Sequence, residues 1–162
     1  MALPLAGIVY ASWHVWTLLP LANVWKWTVI GTGILCFLTL FLDLGRRLDS
    51  MPLPVARILY ATGTSSVMVL LYLVMLFLVL DLGRLVGVVP RAWLHANGVT
   101  SMAILGFIVT VFLCGNIHYN NKVRVPIQLS TTKPLPHDYR IVMLSDLHLG
   151  YHNTRDDLAK WD

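Results

Sequence analysis

The sequence predicts two structural classes in one chain: a helical membrane domain of four spans over residues 1–121, then the opening of a water-soluble α/β domain over residues 122–162. Three observations predict it. Of the 162 residues, 57% are apolar and 12% charged, with a mean hydropathy of +0.69, far from the composition of a soluble chain. The apolar residues gather in uncharged runs close to the roughly 20 residues that a helix needs to cross a hydrocarbon core of about 30 Å. The charge is uneven as well: residues 1–121 hold six Lys/Arg and three Asp, and the shorter remainder holds six and five.

Four runs supply the spans. Residues 3–21 form an uncharged opening segment interrupted by Pro4, His14 and Pro20, without the basic start or small-residue cleavage site of a signal peptide. Residues 25–43 follow between Lys26 and Asp43, with Trp25 and Lys26 suited to an interface. Residues 58–80 are 23 positions without a charge, and residues 97–117 make the last run. Each is expected to be helical, because a lone segment in lipid can satisfy its own N–H and C=O groups only that way. Trp13, Trp16, Trp25 and Trp27 cluster where the first run ends, as an aromatic belt at one interface does.

Within these runs few residues carry chemistry. Cys36 and Cys114 sit in apolar surroundings, where cysteine acts as a small hydrophobe. His14 is an intramembrane titratable group, whose ordinary role near an interface is to find a hydrogen bond; His95 and His118 lie at span ends. Leu40-Phe-Leu-Asp-Leu-Gly-Arg46 recurs further along the chain as Leu78-Val-Leu-Asp-Leu-Gly-Arg84. Consecutive spans alternate in direction, so the copies are expected on opposite faces, each an Asp and Arg at a helix exit with Gly as terminator. The basic residues favour one side: Arg46, Arg47 and Arg57 with the tail residues Lys122, Arg124, Lys133 and Arg140, against Lys26, Arg84 and Arg91. By the positive-inside rule both termini and the soluble part are expected to be cytoplasmic.

Beyond residue 121 the pattern changes. Val123, Val125, Ile127 and Leu129 alternate with polar positions and Pro126, the period of a half-buried edge strand. After a loop with Pro134 and Pro136, residues 140–144 form a short continuous apolar run, as a strand buried on both faces does. It ends in Ser145-Asp-Leu-His-Leu-Gly150. Ligands of open α/β sheets collect at the carboxyl ends of strands. Asp146 and His148, two apart, project to one side of an extended chain. The protein has no glutamate, so a carboxylate ligand must be Asp. A carboxylate with an imidazole suits a transition metal such as Mn, Fe or Zn.

Arg140-Ile-Val-Met-Leu-Ser-Asp-Leu-His-Leu-Gly150 resembles the first motif of the calcineurin-like metallophosphoesterases. The helical anchor ahead of Gly115-Asn-Ile-His-Tyr119 resembles the membrane-anchored bacterial members of that family. The resemblance implies an α/β/β/α sandwich in which Asp146 and His148 hold one metal of a two-metal centre. It also implies hydrolysis of a phosphoester, with a lipid-like phosphodiester near the bilayer as a candidate, by a multi-pass protein of the bacterial inner membrane. The family's Gly-Asp, Asn-His and later histidine motifs do not occur between His148 and Asp162. The soluble part is therefore expected to be a truncated opening, and residues 1–162 by themselves to be inactive. Asp156 and Asp157 after Thr154 read as the first turn of a helix, and His152 as a loop residue outside the site.

The rival expectation is non-catalytic: a small helical membrane protein acting as an anchor or accessory subunit. A net charge of +4 and a pI of 9.3 do not argue for nucleic acid, because the basic residues are scattered between apolar runs. The partners expected are the lipid bilayer and a phosphoester substrate.

Overall fold

Where no water is at hand to bond the backbone, each apolar run closes its own hydrogen bonds as a helix. The computed structural model of the protein describes residues 2–121 and 150–151; within them it contains helices and short 3₁₀ turns and no strand. Five helices follow in order: α1 (Ala2–Leu18), α2 (Asn23–Leu38), α3 (Leu40–Leu44), α4 (Leu53–Leu85) and α5 (Gly98–Asn120). Three stretches are long and apolar enough to cross a membrane: Asn23–Leu44, Leu53–Leu85 and Gly98–Asn120. The expected strands over residues 123–129 and 140–144 lie outside the described residues.

α1 stops at Leu18, short of the expected end, because Pro20 biases its predecessor away from helical geometry. Its last carbonyls find partners elsewhere: Thr17 O and Leu18 O accept from the N–H groups of Ala96 and Asn97, both at 2.9 Å. Lys26 Nζ donates to Trp16 O at 2.9 Å and lies over the Trp16 ring, placing a cation at the negative end of the helix.

α2 and α3 are one span with a break at Thr39. Its N–H bonds Cys36 O at 3.3 Å, and its hydroxyl lies 2.7 Å from Cys36 O and 3.2 Å from Leu59 O on α4. Gly63 lets the two backbones meet here: a Cβ on it would stand 2.8 Å from Leu40 N and 3.0 Å from Leu40 Cα. Small residues at helix crossings serve this purpose in membranes.

α4 is 33 residues, about 50 Å at 1.5 Å per residue, and extends beyond the expected run at each end. Pro54 in the first turn has no N–H to leave unpaired. The other end corrects the sequence expectation. Gly83, expected to terminate the helix, lies inside it, and the chain turns at Gly87, with φ of +80°. Val88 N and Val89 N close that turn on Gly83 O at 2.9 and 3.1 Å. Gly45, in the first copy of the repeat, does end α3. α5 opens with Asn97 as N-cap, its side chain accepting from Thr100 N at 3.0 Å.

Contacts fix the directions. A Cβ on Gly7 would touch Val74, and His14 lies beside Asp81, so α1 and α4 run parallel. α2 returns antiparallel, and α5 descends with Phe112 beside Tyr72. One end of the bundle thus gathers the α1–α2 turn and residues 86–97; the other gathers the α2–α4 connection and the close of α5. The tryptophan belt stands at the first end, where Trp16 and Trp27 pack at 5.0 Å and the 3₁₀ turn Arg91–Leu94 carries Trp93. The two repeat copies lie at opposite ends, as expected. Buried positions are few, Phe77, Leu48 and Ala56 the most enclosed, while Leu71, Val79 and Leu113 are exposed, as lipid-facing residues are.

Candidate functional site

Asp146 and His148, the metal ligands that the sequence points to, lie outside the described residues. Just beyond them Gly150 and Tyr151 form a turn. The Tyr151 hydroxyl donates to Asp49 Oδ1, and its ring lies 5.4 Å from that of Tyr60. Asp49 belongs to the 3₁₀ turn Arg47–Ser50 between α3 and α4. The contact moves both groups from their ordinary titration ranges. Tyr151 is pushed up to about 12, first by its bond to the carboxylate. Asp49 is held below the usual carboxylate range, first by the Tyr151 hydroxyl and then by Arg46.

A second group of polar side chains comes together between α1 and α4. Tyr10 and His14, four apart, share one face of α1, and Asp81 faces them from the last turns of α4. Tyr10 donates to Asp81 Oδ2 at 2.7 Å, and His14 Nε2 lies 3.1 Å from the same oxygen. His14 is 8% exposed, its ring stacked on Phe77 at 4.7 Å and met edge-on by Tyr10 at 4.6 Å. His14 therefore stands within ion-pair distance of a carboxylate, where the sequence pointed only to an ordinary hydrogen bond. His14 and Asp81 belong to helices far apart in the chain, and helical periodicity does not reveal such pairing. The signal available in the sequence is that Tyr10 and His14 fall on one stripe of an otherwise apolar helix.

Above this group opens a cleft of about 430 Å³ lined by Trp13, His14, Thr17, Arg84, Arg91 and His95, among others. A second cleft, of about 700 Å³, shares Trp13, His14 and Arg84 with it and runs down α1 past Val9 and Ala6 to Leu5. Among the described residues Arg84 and Arg91 have no carboxylate partner. His118, on the last turn of α5, is exposed and joins neither cleft.

No three His, Cys, Asp or Glu side chains among the described residues stand close enough to hold a metal ion. Cys36 and Cys114 are free thiols, on α2 and α5. Comparison with protein-family models, with curated proteins and with solved structures returns no match to this chain.

Proposed function

We propose that the protein is a membrane-anchored, metal-dependent phosphoesterase, held by four helices with its soluble segment on the cytoplasmic side. The observation that carries this reading is the run from Arg140 to Gly150, an apolar strand pattern delivering Asp146 and His148 two residues apart. The donor set fits the group: one carboxylate and one imidazole suit Mn, Fe or Zn, and further ligands would come from sequence beyond these residues. Such a centre polarises the phosphoryl group and activates the attacking water when bound. Asp146 and His148 would fix its position at a strand end.

The anchor supports the reading. α1 is 17 residues and about 26 Å, the short end of what spans a bilayer, so four helices return the chain after α5 to the side where it began. That side carries Arg46, Arg47 and Arg57, in keeping with a cytoplasmic face. Tyr151, which follows the motif's Gly150, contacts Asp49 on the same side.

The test is to replace Asp146 and His148 singly by Ala in the protein with its complete soluble domain, and to measure metal content and phosphodiesterase turnover. Both variants should insert normally, lose metal and fall to background. Turnover at the wild-type rate in both would overturn the assignment and favour an anchor or accessory subunit. Cysteine labelling at position 130 from outside intact cells should fail; reaction there would reverse the orientation.

A further inference from the structure

We propose that the groove between α1 and α4 binds an anionic phospholipid, its phosphate between Arg84 and Arg91 and an acyl chain along α1. The first support is level. Trp13, Trp25, Trp27 and Trp93 are each more than half exposed at this end of the bundle, and exposed tryptophans gather at the headgroup boundary. Arg84, on the last turn of α4, and Arg91, opening the 3₁₀ turn Arg91–Leu94, stand at that same end.

The second support is charge. Asp81 shares the groove lining with Arg84 but is engaged by Tyr10 and His14, and it makes no ion pair with Arg84. Two guanidiniums with no ion-pair partner among the described residues, with His95 beside them, leave a positive mouth on an otherwise apolar cleft. Guanidinium geometry matches a phosphate monoanion or diester.

The third support is shape. The two clefts share Trp13, His14 and Arg84, so mouth and groove are continuous. From Thr17 to Leu5 the groove follows twelve helical positions, about 18 Å, close to the depth of one leaflet of a core about 30 Å thick. The charged mouth lies at the headgroup end, Tyr10 and Asp81 bond one another part-way along the groove, and Val9, Ala6 and Leu5 line the part where a chain lies. A soluble anion would use the mouth and leave the groove unfilled.

Trp13 borders both clefts and reports occupancy. The purified full chain in detergent would be titrated with brominated phosphatidylglycerol or brominated phosphatidylcholine. The signal is the quenching that wild type shows and Trp13→Phe lacks. The anionic lipid should quench at lower concentration. Arg91→Gln should weaken that preference about fivefold, and Arg84→Gln with Arg91→Gln should abolish it. Arg91→Lys keeps the charge and should retain most of the preference, which separates recognition from a folding defect. Equal quenching by the two lipids, or an unchanged preference in the double variant, would overturn the proposal. Displacement of the brominated lipid by soluble glycerol phosphate would also overturn it, in favour of a free-anion site.

Discussion

Leu40-Phe-Leu-Asp-Leu-Gly-Arg46 and Leu78-Val-Leu-Asp-Leu-Gly-Arg84 differ at one position, Phe41 against Val79, and fold differently. The second copy is continuous helix from Leu78 to Arg84, and its Asp81 meets Tyr10 and His14 across the α1–α4 contact. The first copy starts at a helix break, ends at Gly45, and leaves Arg46 with φ of +53°. Asp43 has no ion-pair partner among the described residues, and Arg46 reaches Asp49 at 3.4 Å on the surface. Local propensity is almost the same in both. What differs is the neighbour: Gly63 draws the α4 backbone against Leu40 at the first copy, while α1 offers two polar side chains to the second. In a lipid setting, where burying apolar surface drives little association, close backbone contact and polar bridges decide how helices join.

The largest effect is expected where the first copy meets α4. Gly63→Ala would put a methyl group 2.8 Å from Leu40 N and 3.0 Å from Leu40 Cα, atoms that cannot swing aside. The crossing must open, at a cost of about 3 kcal/mol, the upper end for overpacking. Thermal unfolding followed by helicity in detergent would show it. A stability that stays within about 0.5 kcal/mol of wild type, the range of ordinary surface substitutions, would mean that this contact does not hold the helices together.

A smaller difference should separate the two aspartates. Asp81→Ala removes the acceptor of Tyr10 and the partner of a buried His14, and should cost about 1–2 kcal/mol, given the modest worth of polar bridges in membranes. Asp43→Ala, at the equivalent repeat position, should change stability by less than about 0.5 kcal/mol. Equal losses in the two variants would remove the distinction between the copies.

The same contrast explains what can be read from sequence. The spans over residues 25–43, 58–80 and 97–117 are legible because length and apolarity leave a lipid-embedded segment no alternative to a helix. Their ends are not. Arg57 and Arg84 can ride on a helix that emerges from the hydrocarbon, so charges mark the membrane boundary and not the helix boundary. Gly83 has the sequence context of a terminator, which its copy Gly45 is, yet the turn is made by Gly87, one helical turn further on. The Tyr10–His14–Asp81 group depends on which helices touch, and no periodicity within one helix records that. Asp146 and His148 are legible as a motif only, and they fall outside the described residues.

Arg46 offers a test of small size. A non-glycine residue at φ of +53° carries backbone strain that Gly does not. Arg46→Gly should stabilise the protein by about 0.5 kcal/mol after allowing for the greater freedom of the unfolded glycine chain. Arg84→Gly, at the matching position inside α4, should instead destabilise by about 1 kcal/mol, the helix penalty of glycine. Opposite signs from one substitution in two copies of one sequence would confirm that context sets the backbone; a loss at both positions would deny it.

The smallest effect is a pH dependence at the end that carries the first copy. Tyr151 has its pKa raised from 10.0 to about 12, first by its bond to Asp49, so that bond contributes fully below pH 10 and is lost as pH rises through 12. Asp49 is lowered from 3.8, first by the same bond, so its contribution is present above pH 3.8 and fades as pH falls through its depressed value. Both groups are on the surface, and solvent screening keeps the contribution to stability small. Attachment of Tyr151 to the Arg47–Ser50 turn should therefore be constant from about pH 4 to pH 10 and weaken on either side. Protease cleavage at Tyr151, measured against cleavage elsewhere, would follow it. In Tyr151→Phe the hydroxyl is gone while the ring can still pack on Tyr60, so cleavage should be faster at neutral pH and flat across the range. A wild-type profile that rises only below pH 4, with no alkaline limb, would show that the tyrosine proton is not what holds the contact.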